Sequence, residues 1–369
     1  MRIGIITTVL SNNYGGILQN YALQTALKRL NYEVTTLGYT VSIPLKIKAL
    51  SICKRLLLFL SGKKVKIKGW PSKKQEAIIN SNTDRFIKKY INEIKRYDIK
   101  DIAKYDSCGY DAIVVGSDQV WRGTRNKLPM FLYGFTKTPI LISYAASFGI
   151  DTWQFDAQTT SAIKDSLARF KAISVRESSA VTLIQQELGL KAQHVLDPTM
   201  LLNKEDYCSI IGTDIPKNQV MVYILDKSDF KTNVANLVAN QFGYKKITVM
   251  SKYHFGEYPC PIEDCVFPPV EDWLKGFRDS KFVVTDSFHG TVFSIIFNKP
   301  FVTINNSARG SARFQSLLSM FGLESRLVSS VEQANKIICE PIDYNNVNRI
   351  IESKREEAFN FLKTHLPKL

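Results

Sequence analysis

Phe282-Val283-Val284-Thr285-Asp286-Ser287-Phe288-His289-Gly290-Thr291 is the stretch whose reading decides the fold. The apolar, β-branched run Phe282–Thr285 stops at two short polar side chains, and His289-Gly290 then open the amphipathic run Thr291–Phe297. A buried strand that passes through a tight polar turn straight into a helix is the repeating half of a parallel sheet. Such strands are covered on both faces and read as continuous apolar runs. The same signature recurs at Ile3–Leu10, Glu33–Leu37, Ala112–Val115, Ile140–Ala145 and Ala172–Val175, and again at Val220–Leu225, Lys246–Met250 and Pro300–Ile304. The rhythm predicts an α/β chain with a parallel sheet in each half.

The 369 residues are long for a single core and fit two domains. The rhythm breaks after Asp197-Pro198, and a fresh strand begins only beyond the turn-like Asp214–Gln219. We place an N-terminal α/β domain over residues 1–204, with a basic insertion at about 41–100, and a C-terminal α/β domain over 205–343. The tail, 344–369, has helical periodicity over Tyr344–Leu366 and is expected to pack back across the junction.

Lys and Arg total 49 against 34 Asp and Glu, a net charge of +15. The excess is local: no acidic residue falls between Glu33 and Glu76, while residues 46–74 hold Lys46, Lys48, Lys54, Arg55, Lys63, Lys64, Lys66, Lys68, Lys73 and Lys74. A basic face spread over a whole domain, as nucleic-acid binding requires, is therefore missing, and nucleic acid is not an expected partner. Leu45–Leu60 mixes leucines and isoleucines with these cations, the pattern of a helix lying on an anionic membrane surface. A lid packed on its own domain with solvated lysines fits the same pattern. The six cysteines read as reduced thiols in a cytoplasmic setting. The opening MRIGIITTVL runs into Ser11-Asn12-Asn13 without a cleavage site and reads as a first strand. The longest strongly apolar stretch elsewhere, Leu56–Leu60, is too short to span a bilayer.

Five places could carry chemistry. Ser11-Asn12-Asn13-Tyr14-Gly15-Gly16 lies between a strand and a helix, where backbone N–H groups and the helix dipole favour phosphate, carboxylate or sugar hydroxyls, with Gln19 and Asn20 just inside the helix. Gly116-Ser117-Asp118-Gln119 follows the strand Ala112–Val115, at the carboxyl edge where open sheets bind ligands; a plain capping role for Asp118 stays open beside that reading. Arg176 follows the strand Ala172–Val175, and either meets an anion or pairs with Glu177. His289, beside Asp286 at a helix N-terminus, is placed to exchange protons near neutral pH. Arg309 and Arg313, four apart around small residues, could clamp a carboxylate or phosphate. Cys260 and Cys265 have no second pair at zinc spacing, so no metal is expected.

Asn13-Tyr14-Gly15-Gly16 with Gln19-Asn20-Tyr21-Ala22-Leu23, Val115–Trp121, Ser143–Gly149, Ser174-Val175-Arg176-Glu177, Leu196-Asp197-Pro198-Thr199 and Thr285–Gly290, taken in this order, resemble the polysaccharide pyruvyl transferase family. The resemblance runs from residue 4 to about 325, leaving out the insertion and the tail. It implies two Rossmann-like domains similar to the B-type glycosyltransferases. It also implies transfer of a pyruvyl group from phosphoenolpyruvate to a saccharide, forming a pyruvate ketal in surface polysaccharide biosynthesis, with no cofactor beyond the donor substrate.

On that resemblance His289 and Asp286 are the expected catalytic pair. Arg176, Arg309, Arg313, Ser287 and Gly290 are expected on the donor, and Asn13, Tyr14, Gly15, Gln19, Ser117 and Asp118 on the acceptor. The chain departs from some members of the family in carrying Ser287 where they have an arginine two residues before the histidine. The acceptor is a saccharide, lipid-linked or soluble, and a cytoplasmic protein peripheral to the inner face of a membrane is the expected setting. A glycosyltransferase with a nucleotide-sugar donor and a non-catalytic saccharide-binding protein of the same fold are the alternatives.

Overall fold

A computed structural model describes residues 1–41, 71–122, 135–213, 215–256, 260–306 and 310–367, together with Leu50, Cys53, Leu57, Leu60 and Ser61. The rest of the segment expected as an interfacial helix lies outside the described residues, as does Arg309.

The first half contains β1 (Arg2–Ile6), α1 (Tyr14–Arg29), β2 (Glu33–Thr40), α2 (Lys73–Ile79), α3 (Ser81–Tyr90), β3 (Glu93–Asp98), β4 (Ala112–Val115), β5 (Ile140–Ser143), α4 (Ala157–Leu167), β6 (Ser174–Val175), α5 (Ser178–Leu183) and β7 (Gln193–His194). The second contains α6 (Lys204–Ile211), β8 (Lys217–Tyr223), α7 (Asp229–Phe242), β9 (Lys245–Ile247), α8 (Val270–Asp279), β10 (Ser280–Thr285), α9 (Phe288–Ile296), β11 (Phe301–Ile304), α10 (Ala312–Met320), β12 (Leu327–Val328), α11 (Val331–Ile337) and α12 (Tyr344–His365).

Each half builds a five-stranded parallel sheet, in the order β3-β2-β1-β4-β5 and β12-β11-β10-β8-β9. Isolated bridges, Ile142 to Ala172 and Ala146 to Val175, extend the first sheet toward β6 and β7. The chain reverses direction between β1 and β4 in one sheet and between β8 and β10 in the other. These are the two places where strand-end loops diverge and leave a crevice.

β3 corrects the extent of the insertion. Glu93–Asp98 was expected inside it, yet pairs in parallel with β2 through Thr36–Glu93 and Leu37–Ile94. It forms the edge of its sheet, and the charges of Glu93, Lys95, Arg96 and Asp98 hide it in the sequence while protecting an exposed edge from further pairing. α3 also belongs to the body: Phe86 is fully buried, with ring centres 6.0 Å from Tyr21 of α1 and 4.6 Å from Tyr90.

The largest apolar cluster crosses between the halves, joining Tyr14, Ile17 and Leu18 of α1 to Trp273 and Phe277 of α8 and Phe293 of α9. Burying one such side chain contributes about 1.5–3 kcal/mol, so the two sheets are held in a definite relation. α12 spans both. Val347 and Ile351 join the junction cluster, while Ala358, Phe361, Leu362 and Leu366 close the core under β1 and β4.

Candidate active site

The two crevices face one another and form a single cleft of about 510 Å³. Thr8, Asn12 and Asn13 line it from the loop after β1, Asp118, Gln119 and Arg122 from the loop after β4, Leu225 from beyond β8, and Asp286, Ser287 and His289 from beyond β10. Arg313, from α10, closes one side.

His289 sits in the first turn of α9, whose N-cap is Ser287, its Oγ accepting from Gly290 N at 3.3 Å. The imidazole belongs to the second half but is enclosed by the first. A β-carbon on Gly15 would lie 2.0 Å from Nδ1, so only glycine lets the start of α1 approach the ring so closely. On the other side Nε2 stands 3.7 Å from Oδ2 of Asp197. A second glycine approach joins the two halves: Gly310 has φ 94°, and a β-carbon there would meet the carbonyl oxygen of Gly149 at 1.9 Å.

Asp197 is the hub behind the cleft and is fully enclosed. Oδ2 accepts from Gln19 Nε2 at 2.5 Å and Arg176 Nη1 at 2.9 Å, and Oδ1 from Thr199 N at 3.0 Å and Thr199 Oγ1 at 2.7 Å. Burial alone would raise this carboxyl, but His289, Arg176 and Thr199 together hold it well below the ordinary carboxylate range.

Arg176 is almost completely buried and does not line the cleft. Besides Asp197 it has Asp118 at 3.8 Å and Glu177 at 3.9 Å, and its guanidinium lies 4.4 Å over the Phe288 ring. Burial opposes its charge, yet the carboxylates of Asp197, Glu177 and Asp118 carry its pKa above the ordinary arginine value. Glu177 is pushed up by burial, against the pull of Arg176 and a hydrogen bond from Ser147 Oγ. Arg313 shares the Phe288 ring at 5.7 Å, and burial followed by repulsion from Arg176 brings it down to about 10. Arg313 is thus a largely buried cation on the cleft wall, opposed by Arg176 and partly supported by Asp118 and Glu177.

Asp118 occupies the left-handed region, φ 76°, a strained backbone for a residue with a side chain. It is no helix cap. Its Oδ1 accepts from Gln119 N at 2.8 Å and its Oδ2 from Asn13 Nδ2 at 3.2 Å, tying together the loops after β4 and β1 at the cleft. Tyr14 lines the cleft with its ring while its hydroxyl donates to Pro268 O at 2.7 Å, and the ring stacks on Trp273.

The structure thus brings Asn13, Tyr14, Gly15, Asp118, Asp286, Ser287, His289 and Arg313 together around the cleft. It places Gln19, Ser117, Arg176 and Gly290 behind it. Gln19 supports Asp197, the Ser117 carbonyl accepts from Thr7 Oγ1 at 2.8 Å, and Gly290 packs against Thr285. Asp286 lines the cleft but is engaged on all sides. Leu225 N at 2.7 Å, Asp226 N at 3.2 Å, Lys231 Nζ at 2.7 Å and Asn306 Nδ2 at 3.2 Å all donate to it. That environment suits a brace for the loop before α9, whereas the carboxylate nearest His289 is Asp197.

Sequence reasoning gave no role to Asp197, Arg122 or His254. Asp197 was visible in Leu196-Asp197-Pro198-Thr199, and Arg122 stands directly after Trp121 in a motif already singled out. His254 lines the cleft from a loop with no local signature. Among the described residues no group of three His, Cys, Asp or Glu is arranged to hold a metal ion. The Cys260 and Cys265 sulfurs are 3.5 Å apart.

Comparison with solved structures places the fold. The UDP-GlcNAc 2-epimerase of Neisseria meningitidis bound to UDP-GlcNAc superposes with a TM-score of 0.51 at 9% identity, covering 99% of each chain. Arabidopsis thaliana UGT89C1 complexed with UDP-L-rhamnose gives 0.51 at 10% identity, covering 98% of this chain and 97% of that one. A Thermobaculum terrenum O-GlcNAc transferase mutant gives 0.47 at 11% identity, and the match covers 99% of this chain but 66% of that one. With the two parallel sheets, the first two of these matches give the fold as α/β with two Rossmann-like domains, of the kind found in B-type glycosyltransferases and epimerases. No curated protein matches the sequence. Residues 13–308 match the family described as polysaccharide pyruvyl transferase, a span that takes in His289, Asp118 and most of the cleft lining, and the chain belongs to that family.

Proposed function

We propose that the protein transfers the pyruvyl group of phosphoenolpyruvate to a saccharide as a cyclic ketal. The observation that carries this reading is the pairing of His289, at a helix N-terminus on the cleft floor, with Arg313, a suppressed cation on the cleft wall. A donor bearing a carboxylate and a phosphate needs cations, and its methylene carbon needs a proton.

In the first step an acceptor oxygen bonds to C2 of the donor while C3 takes a proton, leaving a methyl-bearing carbon that still holds phosphate. A second acceptor oxygen then displaces the phosphate. Of the two hydroxyl protons consumed, one ends in the methyl group and the other leaves on phosphate. In this reading His289 delivers the proton, with Asp197 setting its orientation. Arg313 and Arg122 meet the donor's anionic groups from opposite walls, and Asp118 with Asn13 accepts the acceptor hydroxyls. The acceptor is a saccharide of surface polysaccharide assembly, carried on a lipid at the inner face of a membrane.

The test is incubation with phosphoenolpyruvate and candidate saccharides, read by phosphate release and by a mass gain of one pyruvate less one water. His289→Ala should lower turnover by about 10²–10⁴. Turnover at the parent rate would remove His289 from the reaction. Release of a nucleoside diphosphate from a nucleotide sugar would identify a glycosyltransferase, and binding without turnover a saccharide-binding protein.

A further inference from the structure

Met250, His254 and Phe267 line the cleft yet have no part in the proposed reaction. They come from the chain between β9 and α8, whose described residues hold only the short helical turn Ile262–Cys265. The place of this wall therefore depends on a few polar contacts. Tyr253 N donates to Asp264 O at 3.1 Å, and Lys252 Nζ pairs with the Asp264 carboxylate, also at 3.1 Å. At the other end Phe267 N donates to Ile79 O at 3.0 Å, and Asn82 Nδ2 donates to Phe267 O at 2.9 Å. Asp264 thus ties the two residues before His254 to the turn that precedes Phe267.

Cys260 and Cys265 bracket that turn. Their sulfurs are 3.5 Å apart, whereas a disulfide bond is about 2.05 Å long. A gap of that size lies within the range of side-chain rotation. Pro261, with its fixed φ, caps the turn, and Asp264 N donates to Pro261 O at 3.2 Å, so the backbone between the cysteines keeps the sulfurs at this range. Cys108 and Cys339 use their sulfurs differently, accepting from Arg96 Nη1 and Gln241 Nε2, both at 3.7 Å. Among the described residues no third His, Cys, Asp or Glu is grouped with the Cys260–Cys265 pair to hold a metal ion.

Burial separates the two roles. Cys265 is 2% exposed, while Cys260 is half-buried and open to a small reagent. The charge of Lys252 is favoured first by Asp264 and then by Tyr253 and Cys260, so a cation stands near the sulfur that must react as an anion.

We propose that Cys260 and Cys265 are a reversible dithiol switch on the cleft wall, closed by exchange with a small-molecule disulfide. The Cys260 thiolate attacks one sulfur of that disulfide, forming a mixed disulfide and releasing one thiol. The Cys265 thiolate then attacks the Cys260 sulfur and releases the second thiol. Each cysteine proton ends on a released thiol; the two cysteine sulfurs are oxidised and the small disulfide is reduced. The closed bond removes open states of the turn, and through Asp264 it steadies Tyr253 and His254. This stretch contributes no Lys or Arg to the cleft lining, which suits a sugar rather than the anionic donor. Ordering the wall in advance lowers the cost of binding, so the closed form should hold the saccharide more tightly. That consequence rests on the proposed function; the bond and the ordering do not.

The test treats the full chain with oxidised glutathione and then with dithiothreitol, mapping the cysteines by alkylation and mass spectrometry. In the parent Cys260 and Cys265 should become linked and then separate again. Cys265→Ser should stop at glutathione on Cys260, and Cys260→Ser should take up none at Cys265. Hydrogen exchange at the Tyr253 amide should slow by at least about threefold on closure. KM for the saccharide should fall by about two- to tenfold, with kcat unchanged. Glutathione on Cys260 of the parent without an internal bond, Tyr253 exchange that ignores closure, or a saccharide KM indifferent to it would overturn the proposal. A closed bond and slowed exchange in a protein that never turns over phosphoenolpyruvate would sink the proposed reaction and leave the switch standing.

Discussion

Gly15 of the first domain and His289 of the second touch across the junction, with room for a hydrogen but not for a methyl group between them. The position of the imidazole is thus set by a helix start from the opposite sheet. Gly15→Ala should displace the ring while disturbing little else, because the glycine is helical and its backbone is unstrained. An ångström of misplacement costs about 10²-fold in rate, so turnover should fall by that order with the melting temperature nearly unchanged. Steady-state kinetics beside a thermal melt separates the two. A variant as active as the parent would show that the ring is not the proton carrier.

Asp197 gives a pH signature. Its folded pKa lies below its ordinary value of 3.8, so the stability it contributes is present above that value and is lost as the pH falls through the folded value. Urea unfolding of the parent should weaken steeply below about pH 4, and that of Asp197→Asn more gently. At neutral pH the variant should be less stable by about 3–5 kcal/mol, since Arg176 is left buried without its closest carboxylate.

Arg313→Ala removes the suppressed cation from the cleft wall. Charge-assisted hydrogen bonds to an anion are worth about 1.5–3 kcal/mol, so KM for phosphoenolpyruvate should rise by roughly 10–150-fold. KM for the saccharide should hold. A variant with unchanged donor KM would move the anion elsewhere in the cleft.

Ser287→Arg adds a cation beside His289 but removes the N-cap of α9. The lost cap costs about 1 kcal/mol, visible as a lower melting temperature. The added charge should lower the donor KM, and in an Arg122→Ala background it should restore part of the donor affinity that substitution removes. Failure of the rescue would place Arg122 away from the donor.

Lys231→Met leaves Asp286 with its backbone donors and Asn306 but without its cation. Breaking a buried pair costs about 3–5 kcal/mol, so unfolding should come at lower urea. The pH profile of kcat should keep its shape, whereas a group passing protons to substrate would change it.

The sequence made the interior strands plain because a strand covered on both faces can carry only apolar residues, as Ile113-Val114-Val115 and Phe282-Val283-Val284 do. Edge strands obey no such rule. β3 carries Glu93, Lys95, Arg96 and Asp98, and nothing in that composition separates it from a solvated loop. The loops after β1, β4 and β10 could be assigned to a site because parallel sheets always present their carboxyl ends to ligands.

Orientation within those loops could not be read. Arg176 and Arg313 look alike in sequence, yet one is locked against Asp197 and the other faces the cleft. Asp197 and His289 are far apart in the chain and meet only when both sheets are assembled. No local pattern encodes that contact.

α12 has a consequence for how the chain comes to be folded. Ala358, Phe361, Leu362 and Leu366 complete the apolar core beneath β1 and β4, and the Leu366 carbonyl accepts from the Tyr32 hydroxyl. β1 therefore shares the cover of one face between α1, the helix that follows it, and a helix that the chain reaches only beyond the whole of the second sheet. Leu23, Ala26 and Leu27 of α1 can cover Ile3 and Ile5 early, but that core is completed only by residues 358–366, after synthesis has passed through the whole of the second sheet.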